Sequence, residues 1–120
     1  MSTSNNLTSK EESFYKTEGF LVRENIFSKS EVFKINKSLE RAASKALLLS
    51  KEGAAYHLDG KKFVDSDYLT VQFEPGLDSE IIRVIEPAHQ LDEGLRELIT
   101  DPRLVNPIQD IMGMKLISLW

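Results

Sequence analysis

The sequence predicts an α+β fold, and three observations support this prediction. Two capping-box motifs, Thr8-Ser9-Lys10-Glu11 and Ser28-Lys29-Ser30-Glu31, each precede residues with helical spacing. Between Leu69 and Glu74 the apolar period changes to two, which is typical of a half-buried strand. A chain of 120 residues is also long enough for one domain but not for two. We therefore predict a single domain over residues 8–120, after a short disordered tail, residues 1–7.

The first two helices are predicted from their ends and their apolar stripes. In each motif the Ser or Thr and the Glu satisfy backbone donors of the opening turn, so the first helix is expected to run to about Glu18, with Gly19 as its left-handed end. The second is expected to end at Gly53. Its stripe keeps a spacing of three and four and predicts an amphipathic packing helix. The stripe consists of Val32, Ile35, Leu39, Ala42, Ala46 and Leu49.

Three segments are predicted as strands. The β-prone residues 20–22 are too short for a helix and predict a short strand. Leu69 to Phe73 alternates apolar and polar residues, and Ile81 to Glu86 predicts a further strand that ends before Pro87. Residues 54–60 show no period and predict a loop.

The last third of the chain predicts two short helices and a final strand. Leu91, Leu95 and Leu98 mark the first helix, and Asp101-Pro102 opens the second, which Gly113 ends. The apolar face expected to point to the core from this second helix consists of Leu104, Ile108 and Ile111. Residues 114–120 are apolar on both faces, as in a strand covered on both sides of a larger sheet. We expect the sequence to be a fragment that stops inside such a sheet.

Composition excludes several classes of function. Fifteen Lys and Arg against nineteen Asp and Glu give a net charge of −4, so nucleic acid is not expected as a partner. Without cysteine the chain has no disulfide, thiolate metal site or thiol nucleophile. The polar start and the lack of a long apolar run predict no membrane partner and a cytoplasmic location.

Histidine limits the metal sites that the chain can form. His57 and His89 are the only two, so a site that needs two histidines must use both. His57-Leu58-Asp59 is a His-x-Asp motif, which could supply part of a metal site made of two histidines and one carboxylate. In such sites the ligands lie on strands that meet across a barrel, whereas His89 follows Pro87 before a helix. We therefore predict no metal site here, and interpret Asp59-Gly60 as a turn in a loop.

Several motifs together resemble the N-terminal half of the phytanoyl-CoA dioxygenase family. In chain order they are Phe14-Tyr15, Gly19-Phe20-Leu21-Val22, Ser28 with Glu31, Gln72-Phe73-Glu74-Pro75, Ile82-Arg83-Val84, Asp101-Pro102-Arg103-Leu104 and Met112-Gly113. The resemblance implies N-terminal helices and the first strands of a double-stranded β-helix, a cupin-like or jelly-roll fold, truncated before its catalytic barrel. It also implies Fe(II) and 2-oxoglutarate as cofactors, with the iron ligands in segments that would follow Trp120.

Arg83 is the main candidate for cofactor binding. Strict alternation places it on the same strand face as Ile81 and Ile85, where a guanidinium needs an anion. The resemblance implies that this anion is a 2-oxoglutarate carboxylate. A pairing of Arg83 with Glu74 or Glu86 is the alternative, and the simpler one. Gln72 and Tyr68 are further candidates for lining the same cavity.

Two functions from different classes follow. The first is the N-terminal part of an Fe(II)- and 2-oxoglutarate-dependent dioxygenase that hydroxylates a small organic or acyl substrate, a part that is inactive in isolation because it lacks the iron ligands. The second is a small non-catalytic α+β module that works by binding a partner.

Overall fold

The computed structural model describes residues 5–66, 68–76 and 78–114, and these residues form an α+β structure. In chain order the elements are helix α1 (Ser9–Glu18), helix α2 (Lys29–Ser50), strands β1 (Ala54–Leu58), β2 (Lys61–Ser66), β3 (Leu69–Phe73) and β4 (Ile82–Glu86), a 3₁₀ helix (Ala88–Gln90), helix α3 (Glu93–Leu98) and helix α4 (Pro102–Met112). The strands form one antiparallel sheet in the order β1-β2-β3-β4. In the described part of the chain, no helix combines the length and apolar character needed to cross a membrane.

The chain divides into two units. The sheet unit is Phe33–Arg96, and the terminal unit combines Met1–Val32 with Glu97–Trp120. The prediction of a single domain over residues 8–120 is not tested by this division. Asn6 and Leu7, within the predicted tail, both donate hydrogen bonds to the Asp110 carboxylate, and residues 1–4 lie outside the described residues.

Both predicted ends of α1 and the predicted start of α2 are confirmed, whereas α2 ends at Ser50, before the predicted Gly53. Thr8 accepts a hydrogen bond from the Glu11 backbone while the Glu11 carboxylate accepts one from the Thr8 backbone, and Gly19 is left-handed with φ of 82°. Ser28 and Glu31 form the same reciprocal pair at the start of α2. These ends depend on residues three apart in sequence, which is why the sequence predicts them well.

The core of the sheet unit lies between α2 and one face of the sheet. Its buried members are Ala42, Ala46, Val64, Leu69, Val71, Phe73, Leu91 and Leu95. The predicted stripe of α2 is wrong at two positions, because Val32 is 44% and Leu39 48% exposed, whereas Ser38 is buried instead. A spacing of four back from Ala42 selects Ser38, and its hydroxyl is tolerated because it accepts a hydrogen bond from Arg41.

The loop predicted over residues 54–60 is wrong except for its turn. Asp59 and Gly60 both have positive φ, 51° and 72°, as a two-residue hairpin turn requires, and they pair Leu58 with Lys61. The hairpin makes residues 54–58 the edge strand β1. All five side chains of β1 are exposed, and therefore no hydrophobic alternation marked it in the sequence.

Two other predictions are wrong. Residues 20–22 are not a strand, because no described strand lies beside them to accept their backbone hydrogen bonds. On α4 the apolar face is not buried, since Leu104, Ile108 and Ile111 are 36–47% exposed. The N-cap Asp101 and the left-handed Gly113 of α4 are confirmed. The strand predicted at the end of the chain falls on residues 115–120, outside the described residues.

Candidate functional site

Arg83 lies at a β-bulge in β4. The strict alternation of side chains from which its burial beside Ile81 and Ile85 was predicted therefore does not hold. Val71 pairs with Ile85 and Phe73 with Ile82, so β4 has one more residue than β3 between these pairs. The extra residue lets Ile82 and Ile85, three apart, both pack against the core. Arg83 is therefore exposed rather than buried among isoleucines. Within the described residues, it forms no ion pair with Glu74, Glu86 or any other carboxylate.

Gln72 lies on the sheet face opposite α2. The register places Tyr56, Phe63, Gln72 and Val84 side by side, one residue from each strand in turn. The Tyr56 and Phe63 rings are stacked with centroids 5.3 Å apart. Tyr56 is 43% and Val84 39% exposed, so no described residue fully covers this face. We call these four residues the open-face row; an amide flanked by aromatic and aliphatic groups is a common composition for a ligand-facing surface.

A polar row runs beside the open-face row. It consists of Ala54, Asp65, Thr70 and Glu86 in register. Thr70 donates a hydrogen bond of 2.8 Å to Asp65. The pKa of the Tyr56 hydroxyl is raised, first by desolvation and then by its interaction with the Asp65 carboxylate. Tyr56 thus stays protonated and can act only as a neutral hydrogen-bonding group near neutral pH.

Tyr68 lies in a different place, at an open cleft of about 470 Å³. The cleft is lined by Leu49, Glu52, Gly53, Ala54, Asp65, Ser66 and Tyr68. The Ser66 hydroxyl oxygen is buried and has no hydrogen-bond partner among the described residues. Neither Gln72 nor Arg83 lines this cleft, so the structure does not bring the three candidate residues into one cavity.

His57 and Asp59 belong to the β1–β2 hairpin. His57 is exposed and pairs in register with Lys62, and Asp59 forms the turn. His89 lies in the 3₁₀ helix and is half-buried. Within residues 5–66, 68–76 and 78–114 no group of three or more histidines and carboxylates is placed to hold a metal ion. The donor set described here therefore does not fit an iron centre.

Sequence reasoning missed a buried charged group in the sheet unit. Asp92 is 6% exposed; its carboxylate accepts hydrogen bonds from Arg41 Nε at 2.8 Å and from the Gly94 backbone at 2.9 Å. The hydrogen bond from Arg41 outweighs desolvation and lowers the pKa of Asp92 to about 2, with a further contribution from Ser38. The signal in the sequence was Ser38, a polar residue on the buried side of α2. This network fixes structure and presents no free group for chemistry.

Comparison with known proteins links the chain to dioxygenases. Over 102 residues it is 30% identical to ectoine dioxygenase of Bordetella parapertussis and, equally, to that of Bordetella bronchiseptica. The match covers 85% of this chain but only 27% of each relative, so the chain spans about a quarter of the length of the relatives it matches. The chain is similar to part of a dioxygenase. No family model and no solved structure matches it.

Proposed function

We propose that this chain is part of an Fe(II)- and 2-oxoglutarate-dependent dioxygenase related to the phytanoyl-CoA dioxygenase family. The observation that carries the proposal is the 30% identity to ectoine dioxygenases over 102 residues, nearly the whole chain. Its role in that enzyme is to supply N-terminal helices and the first strands of the double-stranded β-helix. The iron ligands come from other parts of the enzyme.

The asymmetry of the sheet supports this role. Helix α2 packs on one face through Ala42 and Ala46, while the open-face row on the opposite face stays partly exposed. In a double-stranded β-helix two sheets face each other, and the residues between them alternate with those that point outward. A sheet covered by a helix on one face and open on the other suits one layer of such a structure.

The same proposal gives roles to the candidate residues. The Arg83 guanidinium, exposed and without an ion-pair partner among the described residues, is available for a 2-oxoglutarate carboxylate, which it can bind through two parallel hydrogen bonds. Gln72, at the centre of the open-face row, contributes an amide to the interior. Tyr68 is separated from both and lines the cleft instead. The relatives' name indicates a small organic molecule as the substrate class.

The first test concerns the reading frame. We expect the coding sequence to continue past Trp120 into a His-x-Asp motif and a distal histidine. The encoded protein should decarboxylate 2-oxoglutarate in the presence of iron(II). A continuation without these ligands, or a complete protein without this activity, contradicts the dioxygenase proposal and favours a non-catalytic binding module.

The second test uses variants of that complete protein. Arg83→Gln should raise the KM for 2-oxoglutarate roughly ten-fold or more, because one charge-assisted bidentate contact is lost. Lys51→Gln, a charge-matched change at an exposed position just after α2, should leave the KM unchanged. Equal effects of the two variants would remove Arg83 from the cofactor site.

A third test uses the 120 residues alone. Under anaerobic conditions with iron(II) and 2-oxoglutarate, we expect no visible charge-transfer band from an iron chelate, since three converging ligands are needed. A band that His57→Ala abolishes would show that the His57-Leu58-Asp59 motif binds metal after all.

A further inference from the structure

A groove in the terminal unit runs between α1 and the chain that follows it. Its volume is about 300 Å³, at the lower end of the range for small-molecule sites. It is lined by Lys10, Glu11, Phe14, Phe20, Leu21 and Val22. Phe14 is 44%, Phe20 55% and Val22 70% exposed, so three large apolar side chains meet solvent in one place. The dioxygenase proposal assigns nothing to this groove.

Two contacts fix the walls of the groove. Arg23 Nε donates a hydrogen bond of 2.9 Å to Glu11, and another guanidinium nitrogen of Arg23 donates one of 3.1 Å to the Asn5 carbonyl. The Phe14 and Phe20 rings contact edge to face with centroids 5.5 Å apart. Residues 20–23 are therefore held against α1 before any ligand binds, and this order lowers the entropy cost of binding.

The charges along the groove leave one cation available. The Glu11 carboxylate already accepts hydrogen bonds from Arg23 and from the Thr8 backbone. Lys10 is exposed and forms no hydrogen bond or ion pair with another described residue. A ligand in the groove thus meets an apolar surface with one unpaired ammonium group beside it.

We propose that this groove binds a small amphiphile with an apolar body and a single carboxylate. The apolar body covers Phe14, Phe20 and Val22 and removes their surface from water. The carboxylate pairs with the Lys10 ammonium. The groove accommodates an acyl chain or an aryl group, and the charge selects an acid over an alcohol or amine of the same length.

The test is a titration of the 120-residue chain with sodium decanoate below its micelle concentration, followed by amide chemical shifts. We expect saturable shifts within residues 10–22. Lys10→Gln should weaken decanoate binding roughly two- to five-fold, the range for an exposed ion pair, and leave 1-decanol binding unchanged. Lys16→Gln, a matched change in the last turn of α1, should affect neither ligand.

A second variant separates the apolar contribution. Val22→Ala truncates a side chain that is 70% exposed and makes neither contact that fixes the walls, so the fold should persist, and both decanoate and 1-decanol should bind roughly three-fold more weakly. Shifts outside residues 10–22, equal weakening of both ligands by Lys10→Gln, or binding of an apolar peptide but not of decanoate would each overturn the proposal. These outcomes are independent of iron and 2-oxoglutarate, so they do not bear on the dioxygenase assignment.

Discussion

Different forces stabilise the inside of the sheet unit and the inside of the terminal unit. In the part of the chain that the structure describes, the buried hydrophobic core lies entirely in the sheet unit. Among the described residues of the terminal unit only Pro107 is buried. The terminal unit depends instead on helix caps and on charged hydrogen bonds made by Arg23, Arg103 and Asp110.

This difference predicts unequal stability. Burial of apolar surface contributes far more per residue than an exposed ion pair, which is further weakened by salt. We therefore expect amide exchange to be slowest in β2, β3 and the middle of α2, and faster throughout the terminal unit. The terminal unit is also where the apolar groove and the exposed face of α4 lie.

The largest effect is expected from Phe73→Ala. Phe73 is 1% exposed, and the Lys62 ammonium lies 4.3 Å from its ring centroid. The substitution should lower the free energy of unfolding by about 3–5 kcal/mol, from lost transfer energy and the cavity left behind. Urea denaturation measures this loss in the free energy of unfolding. The control is Phe33→Ala in the same unit, 62% exposed, which should cost less than about 1 kcal/mol. Similar losses for both would refute the assigned core.

The second effect concerns the charged group inside the sheet unit. Asp92→Asn should destabilise by about 1–3 kcal/mol, because a buried acceptor loses its charge-assisted hydrogen bonds from Arg41 and Gly94. The pKa of Asp92 is lowered from 3.8 to about 2 in the folded protein. Its stabilising contribution is therefore complete above about pH 4 and is lost as the pH falls towards 2.

Acid denaturation of the two proteins checks this assignment. The difference in stability between the parent chain and Asp92→Asn should be constant above pH 4 and shrink between pH 4 and 2. If this difference in stability stays constant between pH 4 and 2, the hydrogen bond from Arg41 does not lower the pKa of Asp92 in the folded state.

The accuracy of the sequence-based prediction depends on how far apart in the sequence the interacting residues lie. The caps at Thr8, Ser28 and Asp101 involve residues two or three apart, and all were predicted. Errors arose where strand pairing decides the outcome, either through a short hairpin or between strands farther apart in the sequence. Edge strand β1 exists because Asp59-Gly60 folds it onto β2. The burial of Ile82 together with Ile85 depends on a bulge opposite β3 that no local pattern encodes.

The candidate site was less predictable than the fold for the same reason. Arg83 and Gln72 were selected correctly as strand residues, but their faces depend on register. The cleft at Tyr68 is formed by the end of α2, the start of β1 and the end of β2. Its glycine, Gly53, lies so close to the next strand that a Cβ would come within 2.5 Å of the Asp65 carbonyl oxygen. Only tertiary structure reveals that requirement.

A third prediction tests the terminal unit. Arg103 donates hydrogen bonds to Asp101 and Glu31, and its guanidinium carbon lies 4.3 Å from the Phe27 ring centroid. Arg103→Gln should speed amide exchange in residues 27–31 and 101–105 without changing exchange in β3. High salt should produce part of the same change in the parent chain. If exchange in β3 rises equally, the two units unfold together and the contrast between them is wrong.

The smallest effect is expected from the exposed pair on α2. Lys37 Nζ lies 2.9 Å from the Glu40 carboxylate, and the two side chains are 49% and 65% exposed. Water screens such a pair, and holding two long side chains in place offsets most of the attraction, so Glu40→Gln should change the free energy of unfolding by less than about 0.5 kcal/mol. The pair and Phe73 belong to the same unit but differ in burial. Comparing their contributions therefore tests whether burial, rather than location in the sheet unit, determines how much a residue stabilises the fold. A loss of more than about 1 kcal/mol on urea denaturation would show that exposed charges also stabilise the sheet unit substantially.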